Sequence, residues 1–239
     1  MTSQNIVDAK GVWKIYEAGR QKIEALRALD LEVRKGEVVA IMGPSGCGKT
    51  TLLNCLSGLD VIDRGTIKIA GQDLSELTDN QKTDFRAREM GFVFQTYNLL
   101  PVLTGLENVE LPMLVGGVKP SLARKRAQEA IEMVDVGAWG GHRPAEMSGG
   151  QRQRFTIARA LATKPAIVWA DEPTGALDSE TSAGIMHLMV ELNRQNDQTF
   201  VWVTHSEEVG ALAQRLIRMR DGEISSDSGT RLALAEQDA

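Results

Sequence analysis

Apolar positions in this chain fall into short runs of two kinds, separated by glycine, proline and charged turns. One kind is strand-like: Ile6 to Val12, Leu26 to Val33 and Glu37 to Met42, with Arg34-Lys35-Gly36-Glu37 as the turn before the last. Gly65 to Gly71 alternates polar and apolar residues between glycines, which predicts a half-exposed strand. Met90 to Gln95, Ala166 to Ala170, Thr199 to Thr204 and Leu216 to Met219 complete the strands, and the unbroken apolar character of Ala166 to Ala170 marks it as fully buried. The other kind is helical. Thr51 to Gly58, Thr181 to Leu192 and Glu207 to Arg215 predict single helices. Thr104 to Ala162 is mainly helical, punctuated at Pro112, Gly116-Gly117, Pro120, Gly137, Gly140-Gly141 and Pro144. Thr104 and Glu107 have capping-box spacing, in which a hydroxyl and a carboxylate reciprocally satisfy free amides. Ser225 to Ala239 is polar with few large apolar groups, so a loose tail or a short terminal helix is expected there.

Strands alternating with helices imply an α/β fold with a buried parallel sheet, into which the helical middle is inserted between boundaries near residues 95 and 163. Composition narrows the function classes. With 42% hydrophobic and 25% charged residues the chain reads as an ordinary soluble globular protein, and its apolar runs are far too short to cross a bilayer. No secretory signal is expected, so any membrane role works through docking to another polypeptide. A formal net charge of -5 argues against a general nucleic-acid binder. Cys47 and Cys55 are too few for a disulfide framework or a four-cysteine zinc site, which favours the cytoplasm.

Gly43-Pro44-Ser45-Gly46-Cys47-Gly48-Lys49-Thr50 fits the pattern G-x-x-x-x-G-K-[ST], after an apolar strand and before a helix. Glycines let successive amides turn inward around phosphate oxygens, and the following helix start adds free N–H groups and a favourable dipole. In such a loop Lys49 reaches the β- and γ-phosphates and the Thr50 hydroxyl ligates Mg²⁺. A purely structural turn with a surface lysine is the alternative, and the strand–loop–helix context disfavours it. Cys47 reads as a passive loop residue whose amide, rather than its thiol, serves the site. Farther along, Ile167-Val168-Trp169-Ala170-Asp171-Glu172 is a buried strand ending in adjacent carboxylates. Ligands collect beyond the carboxyl ends of parallel strands, where Asp171 can hold a magnesium hydration shell and Glu172 can polarise attacking water. Strand ends commonly meet polar turns, so this pair gains its weight from the phosphate loop.

Met147-Ser148-Gly149-Gly150-Gln151-Arg152-Gln153-Arg154 forms a second anion-binding device. Ser148 and Gln151 have capping-box spacing, the two glycines admit close approach, and the helix that follows aims its amino end at an anion. At this point the chain resembles the ATP-binding cassette family, whose signature Leu-Ser-Gly-Gly-Gln is matched by Met147 through Gln151 with one apolar change. The resemblance implies a P-loop NTPase fold with a RecA-like core, an antiparallel β subdomain and an inserted helical subdomain. Residues 1–225 would form this single cassette, with core and β parts at about 1–95 and 163–225, the helical part at about 96–162, and a polar tail at 226–239. It also implies two cassettes packed head to tail, each ATP lying between one phosphate loop, extending to Thr51, and the partner's Ser148, Gly149, Gly150 and Gln151.

By the same resemblance Tyr16 stacks on adenine, Gln95 senses Mg²⁺ and water, Asp178 in Gly175-Ala176-Leu177-Asp178 communicates across the dimer, and His205 contacts the γ-phosphate. Met147 for leucine, Cys47 for serine and Ser206 for an acidic residue are mild departures that remove no ligand. Ala25 through Leu29, Ile41 through Gly46, Leu52-Leu53-Asn54 and Gly58-Leu59-Asp60, strengthened by Gly91 through Pro101 and Glu107 through Pro112, look like one bacterial branch, the ATPases of lipoprotein-release and macrolide-export systems (the LolD and MacB type) and of bacitracin-resistance and cell-division complexes. The implied function is ATP hydrolysis on the cytoplasmic side of the membrane, powering export or extraction by integral permease subunits, with an accessory protein as a further partner. The alternatives are a regulatory cell-division ATPase and a cassette acting on nucleic acid or ribosomes. Asn98 to Pro112 would border the permease-docking groove.

Overall fold

The structure, a computed structural model, describes residues 5–19 and 21–229. Its centre is a six-stranded sheet in the order β10-β9-β3-β8-β7-β6: β3 (Val38–Met42), β6 (Met90–Phe94), β7 (Ile167–Asp171), β8 (Thr199–Thr204), β9 (Arg215–Arg220) and β10 (Glu223–Asp227). Neighbours from β9 to β6 run parallel, and β10 adds an antiparallel edge. Successive side chains of a strand point to opposite faces, and both faces here are covered. Val38, Ala40, Val168, Ala170, Phe200 and Trp202 enter one core. Val39, Ile41, Ile167, Trp169, Val201 and Val203 enter the other. The near-continuous apolar runs seen in the sequence are therefore two alternating sets.

One core is closed by α1 (Lys49–Leu56) and by an antiparallel sheet, order β2-β1-β4-β5, built from β1 (Asn5–Ala18), β2 (Gln21–Arg34), β4 (Arg64–Ile69) and β5 (Gln72–Asp73). β1 and β2 run well beyond the predicted strands, because their outer halves pair in a long hairpin that shows little apolar periodicity. The other core is closed by α3 (Gly105–Val115), α4 (Pro120–Met133), α5 (Gly149–Leu161) and α6 (Ser179–Asn196). Thr104 and Glu107 form the expected capping box at α3. Pro120, read as punctuation, sits in the first turn of α4, where a missing N–H costs nothing. Ala123, Ala127 and Ala130, with Ile131, give that helix a buried face made mostly of small residues.

Three differences from the sequence reading have physical reasons. Helix α2 (Asp79–Glu89) has no counterpart among the predicted elements; none of its residues is buried, so it carries no apolar stripe, and it is started by a Thr78–Gln81 capping box and tied down by Arg86, which donates to the Gly58 carbonyl at 2.7 Å. Helix α7 (Glu207–Ala211) stops short of Arg215, whose backbone instead opens β9 beside Val39. Its guanidinium is held by Asp227 and by the Glu32 carbonyl. Residues 225–227, expected in a loose tail, belong to β10, while residues 230–239 lie outside the described part. Among the described residues no helix is long and apolar enough to cross a membrane.

At Gly91 in β6 the sheet lies close against α5: a Cβ there would lie 2.6 Å from the Ala160 backbone oxygen. Gly91→Val should force α5 away from the sheet and destabilise the protein by about 1–3 kcal/mol in urea unfolding, an overpacking cost. A variant as stable as the parent would show that this contact does not set the position of α5.

Candidate functional site

The parallel register lines up three strand ends. Met42 pairs with Thr204, and Val203 with Asp171, so Gly43, His205 and Glu172 leave the sheet along one edge. Phe94 pairs with Asp171, which brings Gln95 out beside Glu172. Beyond this edge the phosphate loop turns into α1. Gly46 and Gly48 hold left-handed φ values of 79° and 102°, and a Cβ on Gly48 would lie 2.5 Å from the Ala25 oxygen. Gly48 caps α1 without a side-chain bond, leaving the helix's first amides facing the loop. Lys49, 9% exposed, donates to the carbonyls of Gly43 at 2.8 Å and Pro44 at 2.9 Å, so its ammonium is fixed at the loop. The turn after β9 braces the loop: Gly222 donates to the Cys47 carbonyl and accepts from the Arg27 amide.

A cavity of about 780 Å³ opens here, lined by Ser45, Gly46, Gly48, Lys49, Thr50 and Thr51 at one end and by Tyr16, Ile23 and Arg27 at the other. Its size suits a nucleotide. Tyr16 is held in place through its hydroxyl, which donates to Asp60 at 2.6 Å, and Lys14 lies over its ring at 4.8 Å. The phenol is pushed up by burial and by the Asp60 acceptor. Lys14, Asp60, Ile23, Arg27, Asp221 and Gly222 escaped the sequence reading. They belong to strands, loops and the turn after β9, whose meeting at the cavity is tertiary.

On the opposite wall Glu172 adopts φ 48°, and its carboxylate bonds His205 Nδ1 at 2.8 Å. Asp171 lies 3.4 Å from the Thr50 hydroxyl through each carboxylate oxygen. Burial, and then the Glu172 charge beside it, raise the Asp171 carboxyl above the ordinary carboxylate range. A desolvated carboxylate, a second carboxylate next to it and a hydroxyl are a fitting donor set for a hard cation such as Mg²⁺. Among the described residues no group of three or more His, Cys, Asp or Glu could hold a metal, so such an ion would take its other ligands from phosphate and water.

The Ser148 turn lies elsewhere. Ser148 caps α5, its hydroxyl accepting from the Gln151 amide at 3.2 Å while Gln151 accepts from the Ser148 amide at 2.8 Å. None of Ser148, Gly149, Gly150 or Gln151 lines the phosphate-loop cavity. The two glycines also serve packing within the chain. A Cβ on Gly149 would meet Leu177 and Tyr97 at 3.1 Å, and one on Gly150 would meet Thr181 at 2.7 Å. Gln95, exposed, packs on Gly175 and is not part of the cavity wall, and Asp178 caps α6 through Thr181. The structure thus gathers the phosphate loop with Asp171, Glu172 and His205, and leaves the Ser148 turn outside. Residues 26–175 match the family model described as ABC transporter.

The chain belongs to the ABC transporter family. It is 46% identical to the lipoprotein-releasing system ATP-binding protein LolD of Alcanivorax borkumensis over 92% of this chain and 96% of that protein. It is 40% identical to the macrolide export ATP-binding/permease protein MacB of Marinobacter nauticus over 99% of this chain, which spans 36% of that larger protein. The ATP-binding cassette MJ0796, solved as a dimer in a post-hydrolysis state bound to ADP and Pi, superposes with a TM-score of 0.86 at 41% identity, covering 95% of this chain and 100% of that one. Fold and family thus agree with the sequence reading: this is an ABC cassette related to lipoprotein-releasing and macrolide-export ATP-binding proteins.

The raised Asp171 carboxyl has a consequence for the cassette's stability. The folded state binds this proton more tightly than the unfolded chain does, so the stability it contributes is present at low pH and lost as pH rises through the raised value. Asp171→Asn in the nucleotide-free protein should melt at or above the parent temperature at neutral pH, with the gap closing in acid. Thermal melts from pH 4 to 8 check this, and a variant much less stable at neutral pH would reverse the sign.

Proposed function

We propose that this chain hydrolyses ATP as one half of a head-to-tail pair of identical cassettes, and that the cycle drives a membrane permease in export or extraction. The observation that carries this reading is the separation of the phosphate loop from the Ser148 turn, two anion-binding devices that one copy does not bring together. A second copy, turned to face the first, supplies what each cavity lacks. That two-cassette arrangement agrees with the dimeric MJ0796.

In this reading Tyr16 stacks on the base, the loop amides from Gly43 to Thr51 surround the phosphates, and Lys49 neutralises their charge. Thr50 and Asp171 hold Mg²⁺, with Gln95 reporting on it from the end of β6; when bound, the ion supplies positive charge to the phosphate oxygens. Glu172 accepts the proton of the attacking water, held for that task by His205 at 2.8 Å. Ser148 and Gly150 donate to the γ-phosphate on the partner, while Asp178 faces the partner across the interface. The residues near 96–162 act as a lobe that moves against the core.

The permease would dock on the cytoplasmic side at a groove of about 250 Å³ between the two parts, lined by Arg86, Phe92, Phe94, Pro112, Arg159 and Thr163. Among the described residues the Thr163 hydroxyl there is buried without a partner, and Val102, ahead of Pro112 in the chain, is 74% exposed. The relatives' names support an export or extraction task, and the cargo would touch the permease rather than this subunit.

Glu172→Gln should lower turnover by ~10²–10⁴-fold and accumulate a dimer with bound ATP, read by light scattering. Ser148→Ala should abolish turnover with ATP affinity for the phosphate loop unchanged. Normal turnover by either variant would overturn the paired-site reading.

A further inference from the structure

Helix α5 carries Ser148 at its tip, and its next turns hold a polar side chain in an unusual place. Gln153 is 0% exposed, as is Thr156. The Gln153 amide nitrogen donates to the Pro173 carbonyl, while its oxygen lies 3.2 Å from the Thr156 hydroxyl. Proline offers only a carbonyl, so the side chain must present its NH₂ to that side. The single Thr156 hydroxyl proton is shared between the Gln153 backbone carbonyl at 2.8 Å and the side-chain oxygen at 3.2 Å. A buried donor bonded in this way is costly to replace and specific in what it holds.

What it holds is the turn that carries Glu172. Glu172 has φ 48°, a left-handed conformation for a residue that precedes proline, a setting that ordinarily drives the backbone to extended values. Such a conformation persists only where its surroundings over-determine it. From the sheet side, the Glu172 amide donates to the Val203 carbonyl at 3.0 Å; within the turn, the Gly175 amide donates to the Glu172 carbonyl at 3.1 Å. From the helical side, the bond comes from Gln153.

We propose that Gln153 is a positioning residue for the Glu172 carboxylate. By fixing the Pro173 carbonyl it fixes the strained backbone one residue earlier, and with it the direction in which Glu172 meets water. Because Gln153 and Ser148 ride on one helix, a cassette's grip on its partner's nucleotide and the aim of its own Glu172 become one mechanical variable. This inference rests on the reading of Glu172 as the group that takes the proton from water.

The test is a double-mutant cycle on the full chain with Gln153→Met, which keeps length and removes the donor, and with Gln153→Glu, which keeps shape and replaces the donor. Each single variant should lower kcat by ~10–100-fold, the penalty of a misplaced group, with ATP affinity measured by a fluorescent analogue within twofold of the parent. In the Glu172→Gln background, adding Gln153→Met should leave the residual rate and the ATP-driven dimer within twofold. A folded Gln153→Met protein with parental kcat would overturn the proposal. So would a residual rate in the double variant reduced by the same factor as in the single one, which marks a general structural role. Should the methionine variant fail to fold, Gln153→Glu carries the same readings. Normal turnover by Glu172→Gln alone would sink the underlying reading instead, and the two failures are told apart by that single variant.

Discussion

A sheet buried on both faces, with parallel register between β3, β8, β7 and β6, is the constraint that creates the site. Parallel strands end on the same edge, so residues far apart in the chain emerge together without any contact of their own. Met42, Thr204, Asp171 and Phe94 terminate within one register of each other, and each leads directly into a segment of the candidate site: Gly43, His205, Glu172 and Gln95. A slip of one residue in this pairing would invert the alternation of Trp169 and Trp202 between the two cores. The apolar packing that stabilises the fold and the placement of the candidate site along one edge are therefore the same fact.

The site itself is braced from behind. Lys49 is tied to its own loop, the Gly222 turn stitches the loop to β2, and Tyr16 is anchored by Asp60 with Lys14 at its ring. Donors fixed in advance in this way need not reorganise when charge is bound or develops beside them. Asp171 shows the other side of the same arrangement: a carboxyl held where its charge is poorly solvated and next to another carboxylate is unfavourable alone and suited to a cation.

Helix α5 links this edge to the rest. It starts at the Ser148 turn, sends Gln153 to the chain just after Glu172, and ends near Gly91, whose lack of a side chain lets the helix lie on β6. It also grips the segment after Gln95, with Arg159 donating to the carbonyls of Tyr97 and Asn98 and Arg152 over the Tyr97 ring at 4.8 Å. Tyr97 and Asn98 both have left-handed φ, so this segment too is shaped by what clamps it. One helix therefore touches both the chain after Glu172 and the chain after Gln95.

The sequence by itself determined the elements whose signal is local. Apolar runs marked the central strands, glycine spacing marked the phosphate loop, and capping boxes marked the starts of α3 and α5, because each depends on residues within a few positions of one another. It did not show α2, whose polar surface has no period, nor β10, whose ladder partner supplies what its composition does not. The tertiary structure alone decided which distant side chains meet: Asp171 with Thr50, Glu172 with His205, Lys14 and Asp60 with Tyr16, and Gln153 with Pro173. Those contacts are set by register and helix packing, which are properties of the closed core rather than of any stretch of chain.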